Sequence, residues 1–296
     1  MGIFARSRQK KKDNALLRAA EDGDAEAVRL LLGEGADPNA RRSDGQTALM
    51  RAAAEGDTAI LRALLQSGAD VDAQDDLGET ALLRAVQPAF DESLAEASSP
   101  AARDSGEPED DEADDGEEAQ EWRAEAEVPA EGDPGVPPQV DNALFEALHL
   151  LLQHRAQADL ADRDGTTPLI KAALDGRTDL ARILLDAGAD PRRENRHGAT
   201  PLLAASAAGN AELVDLLLRA GADANQAGRA GVTPLALAAV QGHAEAARLL
   251  LAAGADPDAR DPEGRSLLEV ARERGHEAVA ALLGETGAGP RPEAQE

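Results

Sequence analysis

The residues with which this chain could do chemistry are few: five histidines, no cysteine, and series of basic side chains at regular spacing. His149 and His154 stand five apart, but no third metal ligand accompanies them. His243 and His276 are 33 apart and each follows a glycine, so repetition explains them better than a shared reaction centre. The chain has no phosphate-binding glycine loop, nucleophile elbow or zinc-protease motif. Absence of cysteine excludes disulfides, thiol catalysis and cysteine-ligated metal, and is compatible with a reducing compartment. No catalysis, metal or cofactor is expected, which leaves charge recognition. Arg18, Arg51 and Arg84 recur at steps of 33, and Lys171 follows after 87. Arg163, Arg196 and Arg229 form a second series at the same step of 33.

The elements that position these side chains must share that period. Gly-Ala-Asp triplets begin at Gly35, Gly68, Gly188, Gly221 and Gly254, stepping by 33 except for one gap of 120. A degraded triplet, Arg155-Ala156-Gln157, divides the gap into two repeats plus 54 extra residues. Thr47, Thr80, Thr167, Thr200, Thr233 and Ser266, with Asn14 upstream, give the same step of 33 and the same interruption of 54. Seven units result. A fixed short period predicts a solenoid in which each unit packs only on its neighbours.

Each unit reads as two short helices. Thr167-Pro168, Thr200-Pro201 and Thr233-Pro234 supply a hydroxyl N-cap and then proline at the first helical position. Leu202 and Ala205 continue at helical spacing until Gly209, a residue suited to the left-handed end of a helix. A second helix follows, with Leu213, Val214, Leu217 and Leu218 on one face and Gly221 closing it. Neither helix has enough apolar surface to persist alone, so each pair must bury its face on the next.

These residues resemble the ankyrin repeat family, whose signature Thr-Pro-Leu-His-x-Ala recurs every 33 residues. Thr-Pro-Leu-Ile-Lys-Ala-Ala at 167–173 and Thr-Pro-Leu-Ala-Leu-Ala-Ala at 233–239 match it, as do Gly242-His243 and Gly275-His276. The resemblance spans about residues 11–286 apart from the insertion, and implies an all-α solenoid of stacked helix-turn-helix units with short hairpin fingers. The signature histidine is absent throughout: Leu17, Met50, Leu83, Ile170, Leu203, Ala236 and Glu269 stand in its place. The resemblance also implies that Arg18, Arg51, Arg84 and Lys171 look into a concave groove and that Arg163, Arg196 and Arg229 sit on the fingers.

Composition agrees with thin stacked helices, since 42% of residues are hydrophobic but only 1% aromatic, which leaves alanine and leucine for the core. No apolar run approaches the roughly 18 residues of a membrane span, and the first 13 residues lack the apolar stretch of a signal peptide. A cytoplasmic monomer is expected. Residues 1–10 read as a disordered basic leader, 11–87 as two repeats and the first helix of a third, and 142–286 as the remainder, with a disordered tail at 287–296. The interruption, 88–141, holds 19 Asp and Glu against Arg103 and Arg123, or −17 of the chain's −27. That composition predicts disorder. Opening a turn to that length costs only about 3 kcal/mol by loop-closure scaling. The third unit should nevertheless be a soft seam, because Arg155 replaces a left-handed glycine, at roughly 1–2 kcal/mol.

Trp122, the one tryptophan, stands in this acidic tract, where a large apolar side chain is either an accident of sequence or an anchor for docking. The expected function is a noncatalytic scaffold for a partner protein, acidic if it meets the arginine series and basic if it meets the insertion. The alternative is a polyanion that shields basic proteins or mimics nucleic acid. Binding to nucleic acid is disfavoured by a charge of −27 and the near-absence of aromatic stacking groups.

Overall fold

The computed structural model describes residues 2–87, 142–261 and 263–286. The expectations for the insertion, for Trp122 and for the tail lie outside the described residues. Within them are fourteen α-helices in seven consecutive pairs. The pairs are α1 (Gly2–Glu21) with α2 (Ala25–Gly33), α3 (Ala48–Glu55) with α4 (Thr58–Gln66), and α5 (Ala81–Val86) with α6 (Asn142–Gln153). Then come α7 (Pro168–Leu174) with α8 (Thr178–Asp186) and α9 (Pro201–Ala207) with α10 (Ala211–Arg219). The last are α11 (Pro234–Gln241) with α12 (Ala244–Ala252) and α13 (Leu267–Glu273) with α14 (Glu277–Thr286). Each first helix packs on the first helix of the next pair and each second helix on the next second helix, giving two layers.

Local chemistry fixes where the first helices begin. Thr47, Thr80, Thr167, Thr200 and Thr233 each accept a hydrogen bond from the backbone N–H three residues on, at 3.2–3.3 Å. Ser266 does the same and is answered by Glu269, whose carboxylate accepts from the Ser266 N–H at 3.1 Å. Asn14 breaks the rule, because it lies inside α1 rather than at its start. The leader expected to be disordered over residues 1–10 is helical from Gly2 onward. Neither glycine nor proline interrupts residues 3–21, and three side chains tie the helix to the turn after α2. Gln9 donates to the Gly35 carbonyl at 2.9 Å, Lys12 to the Glu34 carbonyl at 2.5 Å, and Asp13 accepts from the Asp37 N–H at 2.9 Å.

The core is alanine and leucine, as the composition required. Ala52, Ala53, Ala172, Ala173, Ala205, Ala238 and Ala239 are fully buried between layers, with Leu148, Leu169, Leu180, Leu213 and Leu250 filling the wider gaps. Full burial of each such leucine contributes roughly 1.5–3 kcal/mol. Where the family signature carries histidine, Leu17, Met50, Leu83, Ile170, Leu203 and Ala236 are buried too, so these positions belong to the apolar core.

Adjacent units are also stitched through the turn that follows each second helix. Asn39 accepts from the Asp70 N–H at 2.7 Å, Asp159 from Asp190 at 3.0 Å and Asn225 from Asp256 at 2.8 Å. Asp72 makes the same bond across the interruption, to the Gln157 N–H at 2.9 Å, and its second oxygen accepts from Gln157 Nε2 at 2.9 Å. The two sides of the interruption therefore belong to one compact unit. α6 packs on α3, α4 and α5, and Ala143 in its first turn sits so close to Gly56 that a Cβ there would lie 2.8 Å from the Ala143 Cβ. Arg155 keeps the backbone of the glycine it replaces, with φ 66°, and is the one non-glycine residue in that conformation among the described residues.

Candidate interaction surfaces

Two rows of basic residues run along the stack: one on the first helices, exposed at Arg18 and Arg51 and half-buried at Arg84 and Lys171, and one on the hairpin fingers between each second helix and the next first helix. The first-helix row carries Arg18, Arg51, Arg84 and Lys171, and the structure shows that three of these four are paired within the protein. Arg51 meets Glu55 at 3.1 Å, Arg84 meets Asp75 at 3.1 Å and Glu79 at 2.5 Å, and Lys171 meets Asp175 at 3.9 Å. Arg18 is exposed.

The acids answering Arg84 and Lys171 are both shifted by their positions. Burial raises the Glu79 carboxyl above its usual range despite the opposing pull of Arg84. Burial likewise raises Asp175, against Lys171 and Arg177. The first-helix basic row is thus largely neutralised in the middle units. The sequence signal for this was available: Glu55 and Asp175 stand four residues after Arg51 and Lys171, the helical spacing at which opposite charges meet.

The fingers behave differently. In three of them one side chain holds the turn closed. Asp75 Oδ1 accepts from the Leu77 and Glu79 N–H groups, both at 2.9 Å. Asp162 Oδ1 accepts from Asp164 at 2.9 Å and Thr166 at 2.8 Å, and Asn195 Oδ1 from His197 at 3.0 Å and Ala199 at 2.8 Å. In the next finger the corresponding residue is Gly228, which has no such side chain, and the chain closes through a short 3₁₀ turn, Arg229–Gly231. Asp261 restores the cap, accepting from the Arg265 N–H at 2.7 Å.

Neighbouring fingers are joined backbone to backbone: Asp76 N–H to Asp44 O at 2.9 Å, Arg163 N–H to Leu77 O at 2.9 Å, and Arg196 N–H to Asp164 O at 2.8 Å. Arg163, Arg196 and Arg229 are all exposed. The ion pairs among the described residues are made by other cations, and these three guanidinium groups take part in none of them. Leu77, at the tip beside Arg163, is 61% exposed, an apolar feature that the arginine spacing gave no reason to single out.

The histidines have structural neighbours. His149 stacks on Phe145 one turn earlier, with ring centroids 4.8 Å apart. His243 and His276 each place Nε2 at 3.1 Å from a carbonyl of the preceding unit, Ala207 and Val240. Among the described residues no cluster of three His, Asp or Glu is arranged to hold a metal ion, and no helix is long and apolar enough to cross a membrane.

The paired helices, the capped fingers and the 33-residue step define a repeat solenoid, and comparison with known families identifies it. The chain belongs to the ankyrin repeat family: the model for ankyrin repeats in three copies matches residues 10–93, 140–228 and 203–294. Residues 94–139, most of the acidic interruption, fall outside every match. Ankyrin repeats generally mediate protein–protein interaction and are typically noncatalytic. No curated protein matches the chain.

Proposed function

We propose that this protein is a noncatalytic scaffold of seven ankyrin repeats that binds a partner protein through the groove of its first helices and through its fingers. The acidic segment 88–141 is inserted in the third repeat and modulates access to that surface. The observation that carries the reading is the backbone stitching of four consecutive fingers, Asp76 to Asp44, Arg163 to Leu77 across the interruption, and Arg196 to Asp164. A surface whose side chains are held in register over several units suits recognition of an extended protein surface. Preorganisation lowers the ordering cost of binding.

The inserted segment bears −17 of the chain's −27, enough to compete with an acidic partner for the finger arginines or to attract a basic partner of its own. Trp122 is the apolar anchor of that segment in either case. A cytoplasmic, monomeric protein fits this reading and the absence of cysteine. The test is a pull-down that compares the whole chain with one lacking residues 88–141. A partner gained on deletion means that the segment guards the surface, and a partner lost means that the segment is itself the binding element. Capture of basic proteins by the excised segment alone, with nothing captured by the repeats, would replace the scaffold with a polyanion.

A further inference from the structure

The two basic rows are not equivalent, and the difference identifies a ligand. On the first-helix face Arg51, Arg84 and Lys171 are each answered by a carboxylate of their own unit. At the fingertips Arg163, Arg196 and Arg229 are exposed and make no ion pair among the described residues; Asp162 and Asp164 flank Arg163, and Glu194 stands two residues before Arg196. The backbone bonds from Arg163 to Leu77 and from Arg196 to Asp164 fix consecutive tips against each other. Arg229 has no such bond among the described residues, but its backbone packs against Gly198 of the preceding finger, so the three cations follow one another along consecutive tips.

Resting on the scaffold reading, we infer that the fingertip row binds an acidic segment of a partner protein in an extended, polyproline-II-like conformation, with an acid at every third residue. The match is one of period. First helices of adjacent units pack directly on one another, and packed helices lie about 8–10 Å apart. A polyproline-II chain advances about 3.1 Å per residue with three residues per turn. Every third side chain thus returns to the same face after about 9 Å, one acid for each of Arg163, Arg196 and Arg229. A β-strand would turn alternate side chains to opposite faces, so its third residue would point away. At the end of the row Leu77, 61% exposed, offers an apolar contact just beyond the Arg163 position. Arginine suits the task because its planar fork engages a carboxylate with two parallel hydrogen bonds.

The experiment uses the full chain and fluorescent synthetic peptides with glutamate at every third position, proline and alanine between, and one terminal leucine. Anisotropy titration at low salt should show binding that weakens as salt rises. A peptide of the same composition with its glutamates clustered should bind at least about tenfold more weakly. Substituting Arg163, Arg196 and Arg229 by Glu should abolish binding, whereas the same change at exposed Arg29, Arg62 and Arg182 on the second helices should leave it within about twofold. If the glutamate variant loses its helical circular dichroism, the three glutamine substitutions test the same point. Equal affinity for the clustered peptide, for a single-stranded oligonucleotide or in the fingertip variant would overturn the inference. A fingertip variant that still captures its protein partner in the pull-down, beside a wild-type chain that ignores the peptide, overturns the inference and leaves the scaffold intact.

Discussion

Arg155→Gly should stabilise the protein, and the reason can be worked from one dihedral angle. Arg155 closes the turn after α6 at φ 66°, where Gly35, Gly68, Gly188, Gly221 and Gly254 close the equivalent turns at 87–94°. A side chain with a Cβ is strained in that region by roughly 1–2 kcal/mol. Glycine removes the strain but adds freedom to the unfolded chain, worth about 0.5–1 kcal/mol in the other direction. The net expectation is a gain of about 0.5–1 kcal/mol. Loss of side-chain contacts should not erase it, because Arg155 is exposed. The assay is urea denaturation followed by circular dichroism, with hydrogen exchange over α5 and α6 to localise the change, since a solenoid need not unfold all at once. Arg155→Ala is the control, because alanine keeps the Cβ and the strain. Gly188→Ala, at φ 90°, should cost what Arg155→Gly gains, or more. If Arg155→Ala stabilised as much as Arg155→Gly, the backbone would not be the cause and the estimate would fail.

Three further outcomes follow from single contacts. Asp72→Ala removes both bonds to Gln157 across the interruption and should cost about 1–2 kcal/mol, with the Gln157 amide exchanging faster and distant α12 unaffected. Gly198→Ala places a Cβ against the Arg229 backbone nitrogen at a φ of 80°; it should destabilise the chain and weaken acidic-peptide binding without touching a charge. Asp261→Asn addresses pH. Burial pushes the Asp261 carboxyl up, but hydrogen bonds from the Arg265 backbone and guanidinium outweigh it and hold the group below its usual range. A lowered folded pKa contributes stability above the ordinary aspartate value of about 3.9, and that contribution disappears as pH falls through the folded value. Melting temperatures of wild type and Asp261→Asn should therefore differ at neutral pH and converge in strong acid.

How much of this was legible without coordinates depended on whether a residue's role repeats. The threonine caps and the glycine turns recur at one step, so sequence alone located six first-helix starts and identified Arg155 as the strained exception. The α1 extension was not legible in that way. Its register residue, Asn14, is a good N-cap by type, yet nothing between residues 3 and 21 breaks a helix, and the contacts of Gln9 and Lys12 with the turn after α2 are long-range. The fingers' capping residues, Asp75, Asp162, Asn195 and Asp261, do recur, but among so many acidic side chains their spacing had no contrast.

Charge compensation was the hardest feature to read, because the two arginine series look alike on paper while their surroundings differ. A helix brings residue i against i+4, so Arg51 and Lys171 find Glu55 and Asp175 locally. Arg84 has Gln87 and then the interruption ahead of it, and reaches back instead to Asp75 and Glu79 in the preceding finger. In the arginine fingers the closing residue differs from one to the next: Asp162 Oδ1 accepts from the turn's own N–H groups, Asn195 does the same without a charge, and Gly228 has no side chain to offer. Helical geometry thus neutralises most of one series, while in the fingers of Arg163, Arg196 and Arg229 the closing position holds a turn-bound Asp162, an uncharged Asn195 and Gly228, and the three arginines stay exposed.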